Sequence, residues 1–192
     1  MSAPFTIIID DKPLTDALSD LSAKVADMSR PLGEIGELMV LSTKERFGTS
    51  TGPDGVKWPG NARSTLEAYL RMQGGEHDKD GRFTGWKKGW LRQDGRTSAK
   101  AGAALANKKP NVRFGTLAMG IRYQVAGNSL EWGSNLPYSA VMQWGAAKGA
   151  FGANRRGNPI PWGNIPARPF LGLSSADRDS ILGVLGRYLA LS

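Results

Sequence analysis

Few residues in this chain have the type and spacing for chemistry. The single histidine, His77, sits beside Glu76-x-Asp78-x-Asp80-Gly81, which has the spacing of the first half of a calcium loop. Such a loop needs a bidentate Glu at its twelfth position. Here that position is Lys87, a cation that opposes calcium. His77 is a lone histidine in a hydrophilic segment, so proton transfer is not expected of it. Ser42-Thr43 and Ser174-Ser175 lack a partnered base. The second pair has another explanation, because Ser174 with Asp177 forms the Ser-x-x-acid pattern that opens a helix. No glycine loop followed by Lys-Ser/Thr is present to cradle phosphates. The absence of cysteine removes thiol nucleophiles, disulfides and thiolate zinc sites. No enzyme activity, cofactor or metal is expected.

Binding chemistry is better represented. Lys79, Arg82, Lys87, Lys88, Arg92 and Arg96 surround Phe83, Trp86 and Trp90. Basic grooves with stacking aromatics bind single-stranded nucleic acid, whereas tryptophans are also typical anchors for a neighbouring protein; the second reading is preferred. The formal net charge of +8 is compatible with an anionic partner. No basic run exceeds two adjacent residues, however, and solubility plus bridges to an acidic neighbour subunit account for the charge. Arg168 stands apart. Residues preceding proline are pushed toward extended conformations, so Ile165 and Arg168 are both held there by Pro166 and Pro169. A guanidinium on so stiff a backbone loses little entropy when it pairs with a carboxylate. That carboxylate lies either across a subunit boundary or within the chain, on an acid such as Asp177 or Glu131.

The elements that would position these residues follow from periodicity and punctuation. Phe5–Asp10 reads as a first strand, broken by Asp11 and Pro13. Leu14, Leu18, Leu21 and Val25 predict a helix over 14–28, and Leu32 to Phe47 predict a second, stopped by Gly48. Residues 48–63 read as a loop with turn chemistry at Gly52-Pro53 and Asp54-Gly55 and an apolar anchor at Trp58. A short helix over 64–72 follows, then a glycine-rich, charged and variable insertion at about 73–96. Thr97–Asn107 is alanine-rich and predicted helical. Leu117–Val125 and Leu130–Trp132 predict strands joined through Gly127-Asn128. A helix from Tyr138 to Trp144 ends at Gly145, and a long loop at about 146–164 carries Arg155 and Arg156. Both the insertion and the loop are expected to be mobile in the free protein and ordered only in an assembly. Phe170, Leu171 and Leu173 read as a short strand, and Ala176–Leu191 as a capped terminal helix. The expected fold is α+β in a single domain over 1–192: a small antiparallel sheet of about four strands packed on helices, with long arms. No apolar run approaches the ~18–20 residues that cross a bilayer, and the amino terminus lacks signal-peptide organisation, so synthesis and retention in a cytoplasm are expected.

Four stretches carry a resemblance. They are Arg46-Phe47 with Gly52-Pro53-Asp54-Gly55-Val56-Lys57-Trp58; Val112-Arg113-Phe114-Gly115-Thr116-Leu117; Leu136-Pro137-Tyr138-Ser139-Ala140-Val141-Met142-Gln143-Trp144-Gly145; and Asn164-Ile165-Pro166-Ala167-Arg168-Pro169-Phe170-Leu171-Gly172-Leu173-Ser174. In this order they resemble the phage virion morphogenesis family, the tail-completion proteins of long-tailed phages. In that family the third block ends in His-Gln-Phe-Gly or a close variant; here Met142 stands for the His and Trp144 for the Phe. The resemblance implies a structural virion protein at the head-proximal end of the tail. It implies a homo-oligomeric ring, of six copies, between connector and tail tube. Its partners would be connector, tail-tube or terminator proteins, with DNA only as genome passing through the lumen and no membrane. A tail terminator capping the tube is the alternative within this class. A nucleic-acid-binding module is the alternative outside it, and a hydrolase of cell wall or DNA lacks a catalytic set. Interface candidates are Arg168, Phe170, Trp58, Trp86, Trp90, Tyr138, Gln143, Trp144, Arg155 and Arg156.

Overall fold

The computed structural model describes residues 11–91, 96–112 and 115–190. The strand expected at Phe5–Asp10 lies outside them. The contact pattern divides the chain into two compact units. One gathers the chain up to Ser42, Arg122–Gly133 and the chain from Leu173; the other gathers Thr43–Ile121 and Ser134–Gly172.

In the first unit, α1 (Lys12–Ala26) starts with a proline in its first turn, where the missing N–H costs nothing. Asp27 is extended and ends α1. Its carboxylate then accepts from the Ser29 N–H at 3.0 Å and hydroxyl at 2.5 Å, capping α2 (Ser29–Thr49). The two predicted helices are therefore separate, with a capped break between them. Ile35 and Met39 of α2 pack with Val184 of α7 (Ser175–Leu189), and Leu130 and Trp132 close over them. Those last two residues come from the hairpin β3 (Ile121–Ala126) and β4 (Ser129–Ser134). Its turn uses Gly127 at φ 56, as the Gly-Asn pair predicts. The Asn128 side chain ties that turn to the Val25 carbonyl and the Met28 N–H. The α7 terminus carries the predicted capping box: Ser174 Oγ accepts from the Asp177 N–H, and the Asp177 carboxylate accepts from the Ser174 N–H.

The second unit contains α3 (Arg63–Gly74), the hairpin β1 (Gly75–His77) and β2 (Phe83–Trp86), α4 (Ala99–Ala106), α5 (Thr116–Met119) and α6 (Ser139–Trp144). The last turns of α2 contribute Arg46 and Phe47 to it. The class is α+β as expected, but among the described residues the four strands form two separate two-stranded sheets instead of one. Leu117, expected in a strand, lies in a one-turn helix entered through left-handed Gly115 and closed by Gly120.

Where it is described, the stretch at 73–96 forms a hairpin whose end packs on α3 and α4. Trp90 is buried with Leu70 and Ala101, and Trp86 packs against them. A Cβ at Gly74 would lie 2.2 Å from Trp90 Cδ2, so only glycine lets the indole close on α3. The Glu76–Gly81 segment ends β1 and enters the turn of this hairpin. Asp78 Oδ1 accepts from the N–H groups of Asp80 and Arg82, and Gly81 takes φ 77.

Candidate functional site: a clamped segment and an aromatic arm

The site builds around Arg168–Gly172. Phe170, Leu171 and Leu173 read as a short apolar strand, but the segment pairs with no strand among the described residues. Its backbone groups are taken by side chains from distant parts of the sequence. The Gln143 amide acts as the missing neighbour: its Oε1 accepts from the N–H groups of Phe170 (2.9 Å) and Leu171 (3.0 Å), and its Nε2 donates to the Leu171 carbonyl (3.0 Å). Arg46 Nη1 donates to the carbonyls of Phe170 (2.8 Å) and Gly172 (2.9 Å). Trp58 Nε1 donates to the Pro169 carbonyl at 2.8 Å, and the Arg168 N–H donates to the Met142 carbonyl at 2.9 Å. Phe170, fully buried, lies against Phe47, and Phe47 against Trp58, with ring centroids 5.4 and 5.3 Å apart. The segment is thus fixed at nearly every polar atom and by one aromatic cluster.

Two glycines permit this closeness. Gly145 ends α6 at φ 77, and a Cβ there would meet the Ile165 carbonyl oxygen at 2.6 Å. Gly172 sits at φ 146 with Pro53 where its Cβ would be, 2.7 Å away.

Arg168 is buried, with 7 % of its surface exposed. Nε donates to the Pro59 carbonyl at 2.8 Å and Nη2 to the Gly60 carbonyl at 2.7 Å; Nη1 reaches Asn111 Oδ1 at 3.5 Å. Within its own unit, no carboxylate among the described residues pairs with it. The stiff proline-flanked backbone aims the side chain inward, at loop carbonyls. Burial pushes the guanidinium pKa below its ordinary value.

Beyond Gly145 the expected loop is a two-legged arm. The N–H groups and carbonyls of Ala146 and Ile165 bond reciprocally at 2.9 and 2.8 Å; Gly149 then bonds to Pro161, and Phe151 to Ile160. At the tip, Asn154 Oδ1 accepts from the N–H groups of Arg156 and Asn158, an Asx turn that leaves Arg155 and Arg156 in solvent. The arm and its root display apolar surface. Trp144 is 75 % exposed and Trp162 74 %, with Phe151, Ile160 and Tyr138 also outward.

The ten interface candidates therefore fall into two sets. Trp58, Trp90, Phe170 and Arg168 are buried within their unit; Gln143 is half-buried in the clamp and Trp86 half-buried beside Trp90. Tyr138, Trp144, Arg155 and Arg156 face solvent. The sequence reading missed Phe151 and Trp162, whose exposure follows from arm pairings with no periodic signature. It also missed Arg46 as a clamp donor, although Arg46-Phe47 marked the position.

Fold and site together define a small α+β protein organised about a backbone segment that side chains from separate stretches of sequence hold in place. The chain belongs to the phage virion morphogenesis family, whose model matches residues 9–100 and 82–190. Its role is structural, in building the virion. Comparison with curated proteins and with solved structures gave no match.

Proposed function

We propose that the protein completes the phage tail at its head-proximal end, as a subunit of a ring between connector and tail tube. The observation that supports this reading is the arm over 146–165, rooted beside the clamped segment and carrying exposed Trp144, Phe151 and Trp162. Large exposed apolar patches mark interaction sites, and tryptophan is enriched at binding hot spots. A rigid base with projecting arms suits a ring, in which each subunit offers one surface to the next and a different one to the previous. No reaction is required. Negative-stain imaging of the purified protein, alone and mixed with tails lacking it, tests the proposal. Rings, or a cap at one tail end, are expected. A protein that stays monomeric and leaves the tails unchanged would overturn it.

A further inference from the structure

A cleft of about 690 Å³ opens beside Arg168, within one unit of the chain; its lining includes Lys108, Asn111, Tyr138, Met142, Trp162 and Arg168. This is the size of pocket that holds a ligand or an inserted side chain. Two features of the lining go together. First, the Arg168 guanidinium meets only dipoles among the described residues. Arg168 makes one bond from each guanidinium nitrogen, to two carbonyls and, at the 3.5 Å limit, to the Asn111 amide oxygen. Each Nη therefore keeps a further N–H. The Lys108 ammonium is held by the Val112 carbonyl and lies over the Tyr69 ring, 5.3 Å from its centroid. No lining residue is acidic. Second, the Asn111 Nδ2 group is buried without a hydrogen-bond partner among the described residues. For Arg168, burial without a counter-charge among the described residues, and for Asn111 a buried donor without an acceptor, are both costly. Both costs are removed by one acceptor with negative charge.

We propose that this cleft receives an aspartate or glutamate carboxylate carried on an apolar peptide segment of a partner protein. One oxygen accepts from Arg168 Nη, and the other from Asn111 Nδ2. Met142, Tyr138 and the exposed Trp162 flank the neighbouring apolar side chains. A planar carboxylate matches a guanidinium edge, and the test below separates it from phosphate. The inference names the contact chemistry of the assembly proposed above and rests on that reading.

The test uses the full chain and two probes, acetyl-Leu-Asp-Phe-amide and its Asn counterpart, followed by NMR at the indole signals, with inorganic phosphate as a third arm. The Asp peptide should shift the Trp162 indole with millimolar affinity, and the Asn peptide should bind at least tenfold more weakly. Asn111→Asp places a carboxylate against Arg168 from within, at a backbone φ of 58 that aspartate tolerates. This variant should melt higher than the parent and lose Asp-peptide binding at least tenfold. Trp162→Ser, at a surface position, should weaken binding severalfold and serves if the first variant misfolds. Equal binding of the two peptides, binding of phosphate alone, no binding at all, or undiminished binding by Asn111→Asp would each overturn the proposal. Failure here with normal rings in the imaging experiment would sink the cleft alone; peptide binding by a protein that never enters particles would uphold the cleft and sink the assembly reading.

Discussion

Gln143 shows how much one side chain organises. Its amide makes the contacts that an adjacent strand would make, two accepted and one donated, to residues 27 and 28 positions away. Gln143→Leu keeps the volume and strands three half-buried backbone groups. Leaving a buried polar group unsatisfied costs about 1–3 kcal/mol, so the variant should lose at least ~2 kcal/mol in urea denaturation, with an unchanged m-value. A loss under ~0.5 kcal/mol, the usual surface effect, would show that the clamp holds nothing. The sequence carried part of this, since Gln143 stood among the contact candidates. What it could not carry is direction. The prolines around Arg168 announce a stiff backbone, but which way a stiff backbone aims its side chain depends on where Pro59 and Gly60 lie, more than a hundred residues away along the chain.

At the level of elements, the helices were legible because burial of one face imposes a period on the sequence. Predicted and observed boundaries of α2, α3 and α7 agree within about three residues, close to the usual fraying of helix ends. The hairpin over 75–86 was not legible. Its strands are short, its glycines and charges resemble a disordered segment, and its stability comes from Trp90 packing on α3 and α4. Gly74→Ala tests that dependence. The added methyl would overlap the Trp90 ring, and overpacking a core typically costs about 1–3 kcal/mol. Gly85→Ala in the same hairpin has nothing within 4 Å of the new Cβ and should be near neutral. Equal effects in thermal melts would remove Trp90 from the argument. The break between α1 and α2 makes a second prediction. Hydrogen bonds from the Ser29 hydroxyl and N–H hold the Asp27 carboxyl below its ordinary pKa of 3.8. A depressed folded pKa means that the cap's contribution is complete above the unfolded value and is lost as pH falls through the folded one. Amide exchange at the start of α2 should therefore accelerate below about pH 4, and Asp27→Asn should flatten that dependence. An acceleration that persists in the Asn variant would assign it to another group.

At the scale of the whole molecule, the exposed aromatics and the positive charge raise separate questions. Trp144→Ser and Trp162→Ser replace side chains that are three-quarters exposed, so monomer stability should move by no more than ~0.5 kcal/mol. Incorporation into particles should fall severalfold if these rings are anchors. The charge is the stronger test of function, because +8 alone would suit a nucleic-acid binder. The structure engages several of these cations elsewhere: Arg46 and Arg168 on carbonyls, Lys100 over Trp90, and Arg71 over Phe83. The aromatic residues that suggested a stacking platform contact one another instead, with the Phe83 and Trp86 centroids 5.3 Å apart and Trp90 buried. What remains outward is a dispersed set with Arg155 and Arg156 at the arm tip. Dispersed cations give only the counterion-release term, which is sequence-independent and steeply salt-dependent. Titration with duplex and single-stranded DNA near physiological salt should therefore give dissociation constants on the order of 10⁻⁴–10⁻⁶ M, without preference for either form. Replacing Arg155 and Arg156 by Ala should flatten the salt dependence by up to about two units of slope. Nanomolar affinity, or a strong preference for single strands, would overturn the assembly reading of the charge and restore the nucleic-acid one.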